Sequence, residues 1–160
     1  MLNALKQHFG EDLMDAAERN GDIHLAVRPE RLREVAEFLN GERSLAFDYP
    51  ADLTARDTGE QILLWYRLVS LRHVVTALIH VALPNQAPAI ESVTSIWPGM
   101  NWHERECFDL YGVRFHGHPD DGDPAQMRIL LPEDWEGHPF RRDYTPEFSD
   151  DPLNGPQERN

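Results

Sequence analysis

ILLWYRLVS (residues 62–70) and HVVTALIHVAL (73–83) decide the fold. Both runs are rich in β-branched and aromatic residues, and only two residues separate them, so they predict two strands paired as an antiparallel hairpin. The second run is apolar on both of its faces. That pattern predicts a central strand, covered by helices on one side and by something else on the other.

Working outward toward the N-terminus, Leu2, Leu5 and Phe9 follow helical spacing and predict a short helix ending near Gly10. Residues 12–19 fit either more helix or a short strand. Ile23, Leu25 and Val27 alternate with His24 and Ala26, the period of a half-buried strand. Pro29 then opens a helix whose apolar positions Leu32, Val35, Ala36 and Leu39 share one face, and Asn40–Gly41 stops it. Leu45, Phe47 and Tyr49 suggest another strand that Pro50 cuts short. In the other direction, residues 101–112 predict a helix with Asn101 as N-cap and Gly112 as the stop. The order of elements implies an α+β fold: a two-layer sandwich of a mixed or antiparallel sheet with helices on one face. The expected division is residues 1–96 as the α+β domain and 97–160 as a helix followed by a long extended arm.

Composition changes near Pro84, since ten of the 12 prolines and three of the four tryptophans lie at or after it. Beyond Gly112 the density of proline and glycine excludes long helices or strands. Yet Phe115, Ile129, Leu130, Leu131, Trp135, Phe140 and Tyr144 keep this segment from the polar composition of disorder. Apolar anchors on a proline-stiffened arm suit docking on another protein, because little chain entropy remains to be lost. The alternative is an arm folded back over its own sheet.

The net charge of −13 argues against nucleic acid and anionic lipid surfaces as partners. No apolar run approaches the ~20 residues that span a bilayer. The acidic opening MLNALKQHFGEDLMDAAERN reads as neither a secretory signal nor a transit peptide. Cys107 is the single cysteine, which excludes an internal disulfide and an all-cysteine iron–sulfur cluster. His103 and Cys107 lie one helical turn apart around Glu104 and superficially resemble a zinc-protease helix. However, that motif needs a second histidine where Cys107 stands. Arg105 and Asp109, also one turn apart, fit an ion pair. Glu104, Glu106 and Asp109 read better as a salt-bridge cluster than as catalytic carboxylates, since neither a pocket nor a clear pKa perturbation is evident beside them.

Two long motifs carry a family resemblance: WPGMNWHERECFDLYGVRFHGHPD (97–120) and RILLPEDWEGHPFRRDY (128–144). Together they cover about 40 of the 160 residues. Their order of Trp, Glu-Arg-Glu, Asp, Gly and Gly-His-Pro, then Pro-Glu-Asp-Trp, Gly-His-Pro and basic-basic-Asp-Tyr, resembles the 30-kDa subunit family of respiratory complex I. The sequence departs from that pattern at Asp121–Met127, which lengthens a loop, and at Arg128, which stands alone where the family carries paired arginines.

The resemblance implies a peripheral-arm subunit without a redox centre, with FMN and iron–sulfur clusters held by partner subunits. It implies a hetero-oligomer in which this chain packs beside the 49-kDa-type and iron–sulfur subunits, at the cytoplasmic face of a bacterial inner membrane, without inserting in it. The whole complex would carry electrons from NADH to quinone and pump protons. Carried over position by position, the first motif offers Trp102, Glu104, Arg105, Glu106, Asp109 and Gly112 as partner-binding residues. Gly117, His118 and Pro119 continue it. The second motif offers Arg128, Trp135, Gly137, His138 and Pro139, then Arg141, Arg142, Asp143 and Tyr144. Rival expectations are the equivalent subunit of a related membrane-bound hydrogenase, formate-hydrogenlyase or photosynthetic-type dehydrogenase complex; a stand-alone zinc hydrolase; and an unrelated adaptor.

Overall fold

Alternation at period two builds the sheet. In the computed structural model, which describes residues 1–146, the first decisive run is strand β4 (Gln61–Ser70) and the second is β5 (Val75–Pro84). They pair antiparallel from Gln61–Pro84 to Ser70–Val75, as the sequence predicts. Before them come α1 (Leu2–Phe9), β1 (Leu13–Arg19), β2 (Asp22–Val27), α2 (Leu32–Gly41) and β3 (Tyr49–Asp57). Of the ambiguous residues 12–19, Asp12 closes a 3-10 turn and 13–19 form a strand. The five strands lie in the order β1-β2-β5-β4-β3, with β2 and β5 parallel and the other pairs antiparallel, giving a mixed sheet in which β5 is central.

One face of this sheet is the core. Leu25, Val27, Leu64, Tyr66, Leu68, Ala77, Ile79 and Val81 are buried and join the apolar faces of α1 and α2 in a single cluster. Their alternates on β2, β4 and β5, among them Ala26, Leu63, Trp65, Leu78 and His80, are half-buried and stand outside that cluster. The second cover expected over β5 is therefore not formed by the described residues, and the helices occupy one side only.

The strand expected from Leu45 to Tyr49 lies elsewhere. Leu45 and Phe47 are buried in the connection after α2, and β3 begins at Tyr49 and runs to Asp57. Pro50 does not end it. Because β3 is an edge strand, a missing N–H is tolerated there, and the register slips by one residue between Pro50 and Asp52 to absorb it.

Helix α3 (Met100–Tyr111) packs on β3 and carries the functional motif. Asn101 lies inside its first turn and does not cap it, since Gly99 occupies the N-cap position with no side-chain bond. Gly112 ends it as predicted, in the left-handed conformation at φ 73°. Short parallel strands β6 (Ala89–Glu91) and β7 (Arg114–His116) flank α3, and α4 (Pro124–Met127) fills the lengthened loop. Asp123 caps α4, its carboxylate accepting from the Ala125 N–H. Trp97, Met100, Cys107, Val113, Phe115 and Met127 belong to the same hydrophobic cluster as the sheet.

A candidate docking site built on two buried carboxylates

Helical spacing sends Glu104 and Asp109 of α3 to its inward side, and both are fully buried. The expected one-turn pair of Arg105 with Asp109 does not form. Asp109 is taken instead by Arg128, whose Nη1 donates to Asp109 Oδ1 at 2.8 Å, while the amides of Ile129, Leu130 and Leu131 donate to Oδ2 at 3.1, 2.7 and 2.9 Å. Burial alone would raise the Asp109 pKa. The Arg128 guanidinium and the three N–H donors outweigh it and hold the carboxylate below its ordinary value.

Arg128 is only 9% exposed and bonds on both sides. Its Nη1 also donates to the Asp109 carbonyl and its Nη2 to the carbonyls of Trp135 and Gly137, at 2.7 and 3.1 Å. A planar guanidinium can serve these acceptors together; an ammonium cannot. Arg105 donates to the Arg128 carbonyl, so the two arginines brace the start of the arm in series.

The second anchor is Asp57 at the end of β3, which sequence reasoning missed. Its carboxylate accepts from Gly59 N (2.7 Å), Asn85 Nδ2 (3.0 Å) and Arg142 N (2.9 Å), and Arg141 Nε lies 3.8 Å away. Burial opposes ionisation of Asp57, but these N–H groups and the two guanidiniums leave its pKa lowered. Arg141 also donates to the Asn85 carbonyl and contacts Asp143 at 3.3 Å. Between the anchors, Phe140 N donates to the Leu110 carbonyl. A signal for Asp57 does exist in the sequence: an acid beside Thr58–Gly59 at a hairpin turn commonly bonds the turn's own N–H groups.

The Gly-His-Pro elements are lock pieces. His138 Nδ1 donates to the Asp109 carbonyl at 3.0 Å and its ring meets Phe108 edge-on. A Cβ at Gly112 would lie 2.6 Å from His138 Cδ2, so Gly112 is required by the close approach as well as by its φ. A Cβ at Gly137 (φ 79°) would similarly meet the Tyr144 ring at 2.9 Å. In the first element, His118 is buried. Its Nδ1 accepts from Asp120 N and its Nε2 donates to the Asn101 carbonyl, which fixes a neutral tautomer. Burial lowers the pKa of both histidines, consistent with neutral rings. Gly117 turns the chain before His118, and Pro119 follows it exposed.

Glu104 is the carboxylate whose perturbed pKa no local pattern announces. Its Oε1 accepts from Val93 N at 2.8 Å, while Oε2 has no partner among the described residues. Burial lifts its pKa to about 7, opposed only by the Val93 N–H and by the Ser92 hydroxyl, whose own close bond is to Thr94 at 2.7 Å. The nearby Tyr66 hydroxyl is likewise buried without a partner.

A zinc constellation is not assembled. Cys107 is buried with its thiol toward the Leu53 carbonyl, burial pushes its pKa far up, and His103 turns to Asp52 at 3.9 Å. No group of three potential metal ligands occurs among the described residues. Several candidates face outward. Trp102 is 70% exposed and Leu130 61%, and together with Pro98 and Ile129 they line an open cleft bordered by His103 and Glu106. Trp135 and Phe140 are also exposed, and Trp135 borders a wider cleft of about 1060 Å³ with Tyr111, His138, Arg141, Asp143 and Tyr144. The arm's backbone folds back on α3 and β3, which was the alternative expectation; of its apolar anchors Leu130, Trp135 and Phe140 stay exposed, Ile129, Leu131 and Tyr144 are half-buried, and Phe115 is in the core. No described helix is long and apolar enough to cross a membrane.

The model of the respiratory-chain NADH dehydrogenase 30 Kd subunit family matches residues 25–149. The chain belongs to that family. It is 37% identical over 146 residues to an NADH-quinone oxidoreductase subunit of Roseiflexus sp. (strain RS-1), covering 89% of this chain and 81% of the relative. Among solved structures it resembles the trypsin-resistant fragment of Nqo5 (TM-score 0.61, 25% identity), covering 74% of this chain and 96% of that one. A chain of the membrane-bound sulfane sulfur reductase, an archaeal respiratory membrane complex, shares the fold with TM-score 0.73 at 21% identity, over 89% of this chain and 84% of that one. Within the 30-kDa-subunit family, then, Glu104, Asp109 and Arg128 serve the inside of the chain, while Trp102, Glu106, Trp135 and Arg142 lie at its surface.

Proposed function

We propose that this chain is a cofactor-free, non-catalytic subunit of a proton-pumping NADH:quinone oxidoreductase, attached peripherally on the cytoplasmic side of the membrane. In this reading it docks on the 49-kDa-type and iron–sulfur subunits and positions them for electron transfer, with FMN and the clusters held by those partners. The observation that carries it is the family match, joined to a surface that offers Trp102, Leu130, Trp135 and Phe140 on a backbone already pinned by Asp109 and Asp57. Large exposed apolar side chains on a rigid frame suit an interface, since little order remains to be imposed on association.

The test is affinity purification of the tagged full chain from native membranes, with identification of co-purifying subunits and an NADH:quinone assay. Recovery of the iron–sulfur and 49-kDa-type subunits with quinone reduction is the expected result. Co-purification of hydrogenase or sulfur-reductase subunits instead would assign the chain to a related complex. Catalytic turnover by the isolated chain would overturn the non-catalytic role.

A further inference from the structure

The sheet face left open by the helices has its own order. Across the strands, one row sets Asp15, Ala26, His80, Trp65 and Thr54 side by side. The adjacent row carries His24, Leu78 and Arg67, and the row on the other side carries Ala82, Leu63 and Arg56. At the centre, the His80 ring meets Trp65 and His24 at 5.9 and 6.0 Å. Leu63, Trp65, Val69 and Leu78 are half-buried, and none packs on the hydrophobic cluster. They therefore form a contiguous apolar patch on the side away from it.

Charge gives this patch a polarity. Asp15 is taken by Arg19 at 3.6 Å, and Asp52 turns to His103. Arg56 and Arg67 beside Leu63 and Trp65 are exposed and form no ion pair among the described residues, and Asp22 lies at the far end of the face. In a chain of net charge −13, the β3–β4 side of this face carries two arginines against one carboxylate, Asp52 opposite Arg67, so its net charge is positive.

We propose that this face is a second docking surface, occupied by an acidic amphipathic segment of a neighbouring protein subunit. Its apolar residues lie on Leu63, Trp65 and Leu78, and its carboxylates pair with Arg56 and Arg67, whose planar groups receive carboxylates in two-pronged fashion. This rests on the reading that the chain works inside an assembly, but it involves a different surface from Trp102 and the arm. A second copy is the poorer occupant, because its own copy of this face would present arginines, not carboxylates, to Arg56 and Arg67.

The experiment places a photo-reactive benzoylphenylalanine at Leu78 in the tagged full chain, irradiates the intact assembly, and identifies the cross-linked peptide. A segment rich in Asp, Glu and apolar residues from one other subunit is expected. In parallel, the double variant Arg56→Glu/Arg67→Glu should leave the isolated chain's Tm within about 2 °C, since neither arginine is paired within it. The same variant should lower incorporation into the assembly by roughly tenfold or more, while Arg56→Lys/Arg67→Lys retains most of it. A cross-link to a second copy, no cross-link in an assembly with full NADH:quinone activity, or normal incorporation of the charge-reversed variant would each overturn the proposal. Absence of respiratory subunits from the purified assembly would instead overturn the proposed function, and the Leu78 cross-link would still decide the fate of this face.

Discussion

Replacing Asp109 by alanine removes the acceptor for Arg128 and for three consecutive amides at once. Breaking a buried charge pair by deleting one partner costs about 3–5 kcal/mol, because the remaining charge stays desolvated. Arg128 fits that case at 9% exposure. The three amides add little on top, since Leu130 is exposed and Ile129 and Leu131 are half-buried, so water can replace the lost acceptor. The loss falls on the arm first, because the sheet core beneath does not depend on it. Trypsin reads this directly. In the native chain the Arg128 guanidinium is held on both sides and its carbonyl accepts from Arg105, so cleavage after it requires the arm to open. Opening made easier by about 3–5 kcal/mol should raise the cleavage rate on the order of 10²–10⁴-fold, with the rest of the domain intact. Asp109→Asn, which keeps one carbonyl acceptor, should fall between wild type and alanine. The sign with pH follows from the depressed pKa: the stabilisation is present above the ordinary value of 3.8 and is lost as pH falls through the lower native value. Cleavage after Arg128 unchanged within about threefold in Asp109→Ala would refute this account of the arm.

Glu104→Gln should stabilise the protein at pH 8 by up to about 3 kcal/mol and do little at pH 4. The unfolded carboxyl ionises near 4.5 and the buried one near 7, so native stability declines across that interval and levels off above it; urea melts of both proteins across pH 4–8 measure the difference. Gly112→Ala meets both the positive φ and the His138 ring, and it should cost about 2 kcal/mol or more, seen as a lowered Tm together with loosened protection of residues 138–144 in hydrogen exchange. Arg141→Ala should weaken assembly into the complex, measured as its yield on affinity purification; because Arg141 also bonds Asn85 and borders Asp57, the free chain should lose about 1 kcal/mol or more, and a variant normal in both respects would contradict the contact.

The hairpin, β2, α2 and the end of α3 at Gly112 were legible because each rests on a local pattern: alternation, helical spacing, or a residue suited to positive φ. β3 was hidden because its outward positions Asp52, Thr54 and Arg56 are exposed and polar and its proline suggests a break. Only the edge position of β3, which no local window contains, makes Pro50 acceptable. The site divided in the same way. The motif residues were visible as types, but the sequence suggested Arg105 as the partner of Asp109, one turn away, where the chain uses Arg128, 19 residues on. Asp57 and Arg142 are 85 residues apart, and nothing in either neighbourhood announces the other.

The solitary thiol of Cys107 has a practical consequence. It is sealed beneath α3 and held protonated by its surroundings, so alkylating reagents meet no nucleophile while the native packing lasts. Each alkylated molecule would then record one excursion that separated α3 from β3. Without any engineered label, the chain carries its own clock for unfolding, and mass spectrometry of a timed iodoacetamide exposure would read it one molecule at a time.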